Sequence, residues 1–134
     1  FGVVYRCVPR AGGAELAVKV VNKDRLTSYA LQALLGDEAS GKEGEISLHR
    51  SLPPHAHVVG IHDCFEEPHA VRLVLDVCRG GDLFDAILRA KQRNKARCVD
   101  EALSEGAAAS VTWQVLSALA FCHKHRVVRS EEHT

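Results

Sequence analysis

Apolar and polar residues alternate from Val3 to Pro9 in the period of an extended strand, and Gly12-Gly13 then marks a turn. Leu16 to Val21 is a second strand, almost continuously apolar and interrupted only by Lys19. From Lys23 to Gly41 the pattern is mixed and polar, with Gly36 and Gly41 as breakers. Glu43 to Leu52 predicts a helix that carries Glu45, Leu48 and Leu52 on one face, and Pro53-Pro54 stops it. Val58 to Phe65 and Val71 to Val77 predict two more strands, joined by a hairpin turn at Glu66-Glu67-Pro68-His69. Arg79-Gly80-Gly81 breaks the second of these, and Asp82 is placed to cap a short helix running to about Ala90. The basic, polar run Lys91 to Arg97 reads as a loop. Ser104 is the candidate N-cap of the longest helix, which runs to about His125 with an apolar stripe of Val111, Val115, Leu116, Leu119 and Cys122. There are no internal repeats.

This order predicts a small sheet-rich lobe, a flexible Gly-Gly connection and a helical part. Its 134 residues suffice for one modest domain, and a hydrophobic share of 46% supplies a core. Seventeen basic and seventeen acidic residues cancel, which gives no support for nucleic-acid binding or attraction to anionic membranes. No apolar run approaches the roughly 20 residues needed to span a bilayer. Cys7, Cys64, Cys78, Cys98 and Cys122 are scattered, odd in number and form no C-x-x-C. That pattern speaks for reduced thiols in the cytoplasm or nucleus rather than for a disulfide framework or a zinc site. No signal peptide is visible, but the chain begins at Phe1 rather than Met, so this excludes no targeting segment.

Four positions are candidates for chemistry. In Phe1-Gly2-Val3-Val4-Tyr5, a glycine lets the backbone come close to a phosphate; it could equally be an ordinary strand glycine. Lys19 lies in an apolar strand, where an unpaired ammonium is costly. It either points to solvent at a strand edge or meets an anion, a carboxylate or a ligand phosphate. Glu45 shares its helical face with Leu48 and Leu52 and would supply that carboxylate, unless it is a solvated helix residue. In Leu75-Asp76-Val77-Cys78-Arg79-Gly80-Gly81-Asp82-Leu83-Phe84, a strand end with free backbone groups could bond a planar ligand, and Asp82 a hydroxyl. A simple turn plus N-cap is the alternative.

Together, Phe1-Gly2-x-Val4, Ala17-x-Lys19, Glu45 and a hinge-like strand end followed by Gly-Gly-Asp-Leu-Phe stand in the order found in eukaryotic protein kinases. The resemblance covers Phe1 to about Val128. It is closest to serine/threonine kinases of the calcium/calmodulin-dependent type, through Glu45-Ile46-Ser47-Leu48, His57-Val58-Val59 and Gly80-Gly81-Asp82-Leu83-Phe84-Asp85. The implied fold is α+β: a kinase-like N-lobe of antiparallel sheet plus one helix, then the first C-lobe helices, truncated. The implied cofactors are ATP and Mg2+, and the implied partner is a protein substrate. Phe1 and Gly2 match the end of the glycine-rich loop over the phosphates, and Val4 and Ala17 the apolar contacts to adenine. Lys19 matches the lysine that holds the α- and β-phosphates, and Glu45 its helix partner. Leu75 matches the gatekeeper, the backbones of Asp76 and Cys78 the hinge groups that bond adenine, and Asp82 an acidic position near the ribose.

Some positions depart from that pattern. His49 replaces a residue that is usually apolar, and Lys91 to Glu101 is longer and more basic than the family's connection, as an insertion would be. Its basic run is read as a solvated loop, with a docking site as the alternative. His55-x-His57 with His62, and His123-x-His125, lack a Cys or carboxylate at zinc-like spacing and read as loop and helix-end histidines. After Arg126-Val127-Val128 the resemblance calls for His-Arg-Asp with a nearby Asn, and later Asp-Phe-Gly; the chain reads Arg-Ser-Glu-Glu-His-Thr instead. Those six residues match a translated sequencing adapter (AGA TCG GAA GAG CAC ACG), with a divergent natural ending such as a splice variant as the alternative. The expected organisation is therefore 1–77 partial N-lobe, 78–128 hinge and first C-lobe helices, and 129–134 adapter-derived. A chain without the catalytic Asp and the magnesium ligands is expected to be inactive alone, with the stripe of its last helix exposed. A nucleotide-binding pseudokinase or scaffold module is the alternative reading of the whole.

Overall fold

Strand formation follows the β-branched runs. β1 (Val3–Cys7) pairs antiparallel with β2 (Leu16–Asn22), and β2 with β6 (Ala70–Asp76), which also pairs with β5 (Ile61–Glu66). The resulting four-stranded sheet has the order β1-β2-β6-β5. The computed structural model describes residues 2–95 and 102–128. Directly opposite residues share a face, so Ala17, Lys19 and Val21 of β2 lie in one row with Leu75, Leu73 and Val71 of β6. The core is built on this face. Val21, Val71 and Leu73 pack with Ile46, and Leu26, Leu34, Leu35, Ile61, Cys64 and Leu75 surround them.

The mixed segment after β2 is more structured than its pattern suggests. A single 3-10 turn (Lys23–Arg25) leads to α1 (Ser28–Leu35), whose start is capped by the Thr27 hydroxyl accepting the Ala30 N–H at 3.1 Å. Gly36, at φ 91°, ends α1 and opens a tight hairpin of β3 (Gly36–Asp37) and β4 (Lys42–Glu43). The hairpin returns the chain to α2 (Glu45–Ser51). Gly44, which precedes α2, is buried against the end of α1. A Cβ there would overlap the Gly36 nitrogen and the Leu35 carbonyl carbon, and would lie 2.6 Å from the Leu34 oxygen.

This close approach sets where α2 begins, and with it the exposure of Glu45. The helix starts at Glu45, two residues later than predicted, so Glu45 is its exposed first residue and Ile46 is the one that is buried. Leu48 and Leu52 are half-buried. Strand β5 likewise starts later than predicted, at Ile61, while the hairpin turn to β6 falls as expected.

Beyond the sheet, α3 (Leu83–Lys95) begins behind Asp82, whose carboxylate accepts the Asp85 N–H at 2.8 Å. It runs past Ala90 and takes Lys91 to Lys95 into the helix, where a loop was expected; no Gly or Pro interrupts that stretch. Residues 96–101, the rest of the expected loop and insertion, and 129–134, the expected adapter-derived end, lie outside the described residues. α4 (Glu105–Lys124) is capped by the Ser104 hydroxyl accepting the Ala107 N–H at 3.2 Å. Of its stripe, Val111 and Cys122 are half-buried, and Val115, Leu116 and Leu119 are exposed. Aromatic contacts join α4 to the loop before β5. The His55 ring stacks on Phe121 at 4.5 Å, and His57 meets Trp113 edge-on at 5.5 Å. Among the described residues, no helix is long and apolar enough to cross a membrane.

Candidate functional site

Lys19 sits in the core-facing row of β2, between buried Ala17 and buried Val21. Val4 is its direct neighbour on β1 and Leu73 on β6. Its side chain is thus half-buried among apolar groups, and among the described residues it makes no ion pair within 4.0 Å. A lysine there can lay its aliphatic stem on the apolar strand face while its ammonium is left without a carboxylate partner among the described residues, open to an anion. Gly2 lies beside it. A Cβ at Gly2 would stand 2.6 Å from the Val20 carbonyl oxygen and 3.5 Å from the Lys19 Cγ, so only a glycine lets the backbone pass this close. The sheet therefore brings Gly2, Val4, Ala17, Lys19 and Leu75 together around one strand face, with Val4 on the open edge. Phe1 is outside the described residues.

Glu45 does not join them. It is exposed at the start of α2 and makes no ion pair within 4.0 Å among the described residues. The Gly36–Gly44 packing begins the helix at the glutamate itself instead of two residues before it.

The strand end at Asp76 is held by its own side chain. The Asp76 carboxylate accepts the Gly60 N–H at 2.6 Å through one oxygen and faces the His62 Nε2 at 2.6 Å through the other. The Asp76 N–H donates to the Gly60 carbonyl at 3.0 Å. The His62 hydrogen bond, and then the Gly60 N–H, hold the Asp76 carboxyl below the usual carboxylate range. Cys78, two residues on, is exposed. Asp76 and Cys78 line an open cleft of ≈ 600 Å³ whose other walls are residues 56–59, Leu83 and the Val115–Leu119–Cys122 face of α4. Asp82 is used as the α3 cap. Arg89 of α3 donates to the Gly80 carbonyl at 3.2 Å, and Arg79 pairs with Glu15 at 2.9 Å, tying the turn before β2 to the exit from the sheet.

Two histidines carry more than their sequence positions indicated. The His49 Nε2 lies 2.7 Å from the Val59 carbonyl, so that nitrogen carries the proton and pins α2 to the loop before β5. His62 is the extra residue of a β-bulge: Ile61 faces Leu75 and Asp63 faces Val74, which leaves His62 out of the ladder. Neither is announced by periodicity. The signal available for His62 was the pairing register of the β5–β6 hairpin, which places it near Asp76.

The cleft at Asp76 and Cys78 and the strand face around Lys19 share no lining residue: the first lies between the strand end and α4, the second over β1 and β2. Among the described residues, no group of three His, Cys, Asp or Glu could hold a metal ion.

The family model for the protein kinase domain matches residues 1–130. The chain belongs to the protein kinase domain family. This kinase chain is 31% identical over 131 residues to calcium-dependent protein kinase 20 of Oryza sativa subsp. japonica, covering 98% of this chain and 21% of that one. It is 30% identical over 131 residues to calcium-dependent protein kinase 32 of Arabidopsis thaliana, at 98% and 21% coverage. The chain thus spans about a fifth of the length of the curated kinases it matches. Its fold is similar to that in the crystal structure of Rad53 1-466 in complex with AMP-PNP, with a TM-score of 0.67 and 21% identity over 92% of this chain and 27% of that one. The fold is therefore that of a kinase N-lobe, antiparallel sheet plus helix, continued by helices of the next lobe.

Proposed function

We propose that this chain is the nucleotide-binding part of an ATP-dependent serine/threonine protein kinase that transfers the γ-phosphoryl group of ATP to protein hydroxyls. The observation that carries the reading is Lys19: half-buried in the core-facing row, beside Gly2, with no carboxylate within ion-pair distance among the described residues. Lys19 holds the α- and β-phosphates, and Phe1 and Gly2 cover the phosphates. Val4 and Ala17 flank the adenine, Leu75 is the gatekeeper, the main chain at Asp76 and Cys78 bonds the base, and Asp82 lies near the ribose. The nucleotide brings Mg2+, which helps to neutralise phosphate charge; the described residues supply no ligand set for it. What the chain contributes is binding and orientation.

The organisation follows from this reading: 1–77 as N-lobe, 78–128 as hinge and first C-lobe helices, and 129–134 as adapter-derived sequence, which genomic sequence encoding those residues in frame would refute. The parent works on a protein substrate, in the cytoplasm or nucleus. Residues 1–134 alone have no catalytic Asp from a His-Arg-Asp motif, and we expect no phosphoryl transfer from them. MgATP should raise the melting temperature of the protein, and Lys19→Ala should abolish the rise. An equal rise in the variant would overturn the assignment of Lys19. A second reading, a nucleotide-binding scaffold without catalysis, is favoured by the separation of Glu45 from Lys19. Phosphorylation of a protein substrate by the full-length parent, lost in Lys19→Ala, would exclude it.

A further inference from the structure

The Asp76 carboxylate is the most fully engaged side chain near the candidate site. One oxygen meets the His62 Nε2 and the other accepts the Gly60 N–H, both at 2.6 Å, while the Asp76 N–H returns a bond to the Gly60 carbonyl at 3.0 Å. The three residues are fitted to one another. A Cβ at Gly60 would lie 2.8 Å from the Asp76 Oδ2 and displace the carboxylate. His62 reaches the other oxygen because the bulge takes it out of the strand alternation. In a regular strand, position 62 would take its place in the ladder beside Val74 and Leu75.

We infer that His62 is a positioning residue for nucleotide recognition: through the Asp76 carboxylate it fixes the main chain that addresses the purine 6-amino group. The inference rests on the proposed function, in which the Asp76 main chain bonds the base. Its physical basis is the shortage of other anchors. Val77 and Cys78 belong to no strand or helix. The next side-chain contacts along the chain are Arg79 with Glu15 and Arg89 with the Gly80 carbonyl. Asp76 closes the β6 ladder opposite Leu16, and between that last pair and the Arg79 contact the clasp on its side chain steadies the peptide leaving the sheet. A recognising carbonyl must be held to a fraction of an ångström to be worth its full contribution. It accepts from a 6-amino group and opposes a 6-oxo group, so a fixed carbonyl favours ATP over ITP, and a loose one discriminates less.

The test is equilibrium binding of MgATP and MgITP to the full-length protein that carries this chain, in the wild type and in His62→Leu, His62→Gln and Gly60→Ala. Gln presents an amide N–H close to where the imidazole Nε2 stands, whereas Leu presents none. Gly60→Ala attacks the clasp from the other side without touching His62. His62→Leu and Gly60→Ala should weaken MgATP binding about 3- to 10-fold, a charged hydrogen bond discounted for half-exposed partners. MgITP binding should change much less, and His62→Gln should restore most of the ATP preference. A purely structural role would weaken both nucleotides together, and that outcome overturns the proposal. So does a wild-type ATP-to-ITP ratio retained in both His62→Leu and Gly60→Ala. Absence of MgATP binding by the wild type would overturn the nucleotide-binding reading itself, and this inference with it.

Discussion

Gly44→Ala is a direct probe of how α2 is set. Gly44 has φ −86° and ψ 166°, an extended conformation that alanine adopts freely. Backbone strain therefore plays no part, and the alanine gains about 0.4–1 kcal/mol by stiffening the unfolded chain. Against this stands a steric conflict with main-chain atoms alone: the Gly36 nitrogen, the Leu35 carbonyl carbon and, at 2.6 Å, the Leu34 oxygen. None of these can swing aside as a flexible side chain would, so the end of α1 and the start of α2 must separate. Forcing packed elements apart by one carbon costs about 1–3 kcal/mol, which leaves a net loss of up to about 2.6 kcal/mol. Gly106→Ala is the control. Gly106 lies in the first turn of α4 with nothing within 4 Å of an added Cβ, so alanine should stabilise by up to about 1 kcal/mol. Urea unfolding of both variants against the wild type reads the two signs. A Gly44→Ala protein as stable as the wild type, alongside a normal Gly106→Ala, would refute the close approach of α1 and α2 in solution.

Val71 is fully buried in the core, and Val71→Ala should cost about 2–3 kcal/mol in the same unfolding assay, from lost methyl burial plus the cavity left behind. The Asp76 carboxyl is held below its ordinary range by His62 and the Gly60 N–H, so the unfolded chain takes up the proton at higher pH than the folded one. The stability it contributes is present above the unfolded carboxylate pKa and is lost as pH falls through the depressed folded value. Asp76→Asn should flatten the acid limb of melting temperature against pH below about pH 4. Glu67, lowered by its hydrogen bond from Arg72, contributes in the same window with the same sign, and Glu67→Gln should flatten that limb further.

The parts legible in the sequence were those written in local pattern. The β2 run around Lys19, the turn between β5 and β6, and the caps at Asp82 and Ser104 depend on neighbours a few residues away, and each is where the pattern placed it. What was not legible depends on contacts distant along the chain. The start of α2 lies where Gly44 meets the end of α1, eight to ten residues earlier, and this leaves Glu45 exposed on the first turn instead of turned toward the core. The His62–Asp76 pair needs a bulge, which no alternation of polar and apolar residues reveals. α3 outran its expected end for the opposite reason. Lys91 to Lys95 is polar enough for a loop, yet all of it but Asn94 is made of good helix formers following an established helix, and propagation is cheaper than initiation.

Trp113 is the chain's one tryptophan, and it lies edge-on to His57, 5.5 Å away, at the junction of α4 with the loop before β5. Indole emission changes in both intensity and colour when the groups around the ring are exchanged for water. The protein therefore carries its own optical gauge of that junction. A change in Trp113 fluorescence, with no dye attached, would mark the moment at which α4 parts from the sheet-bearing half.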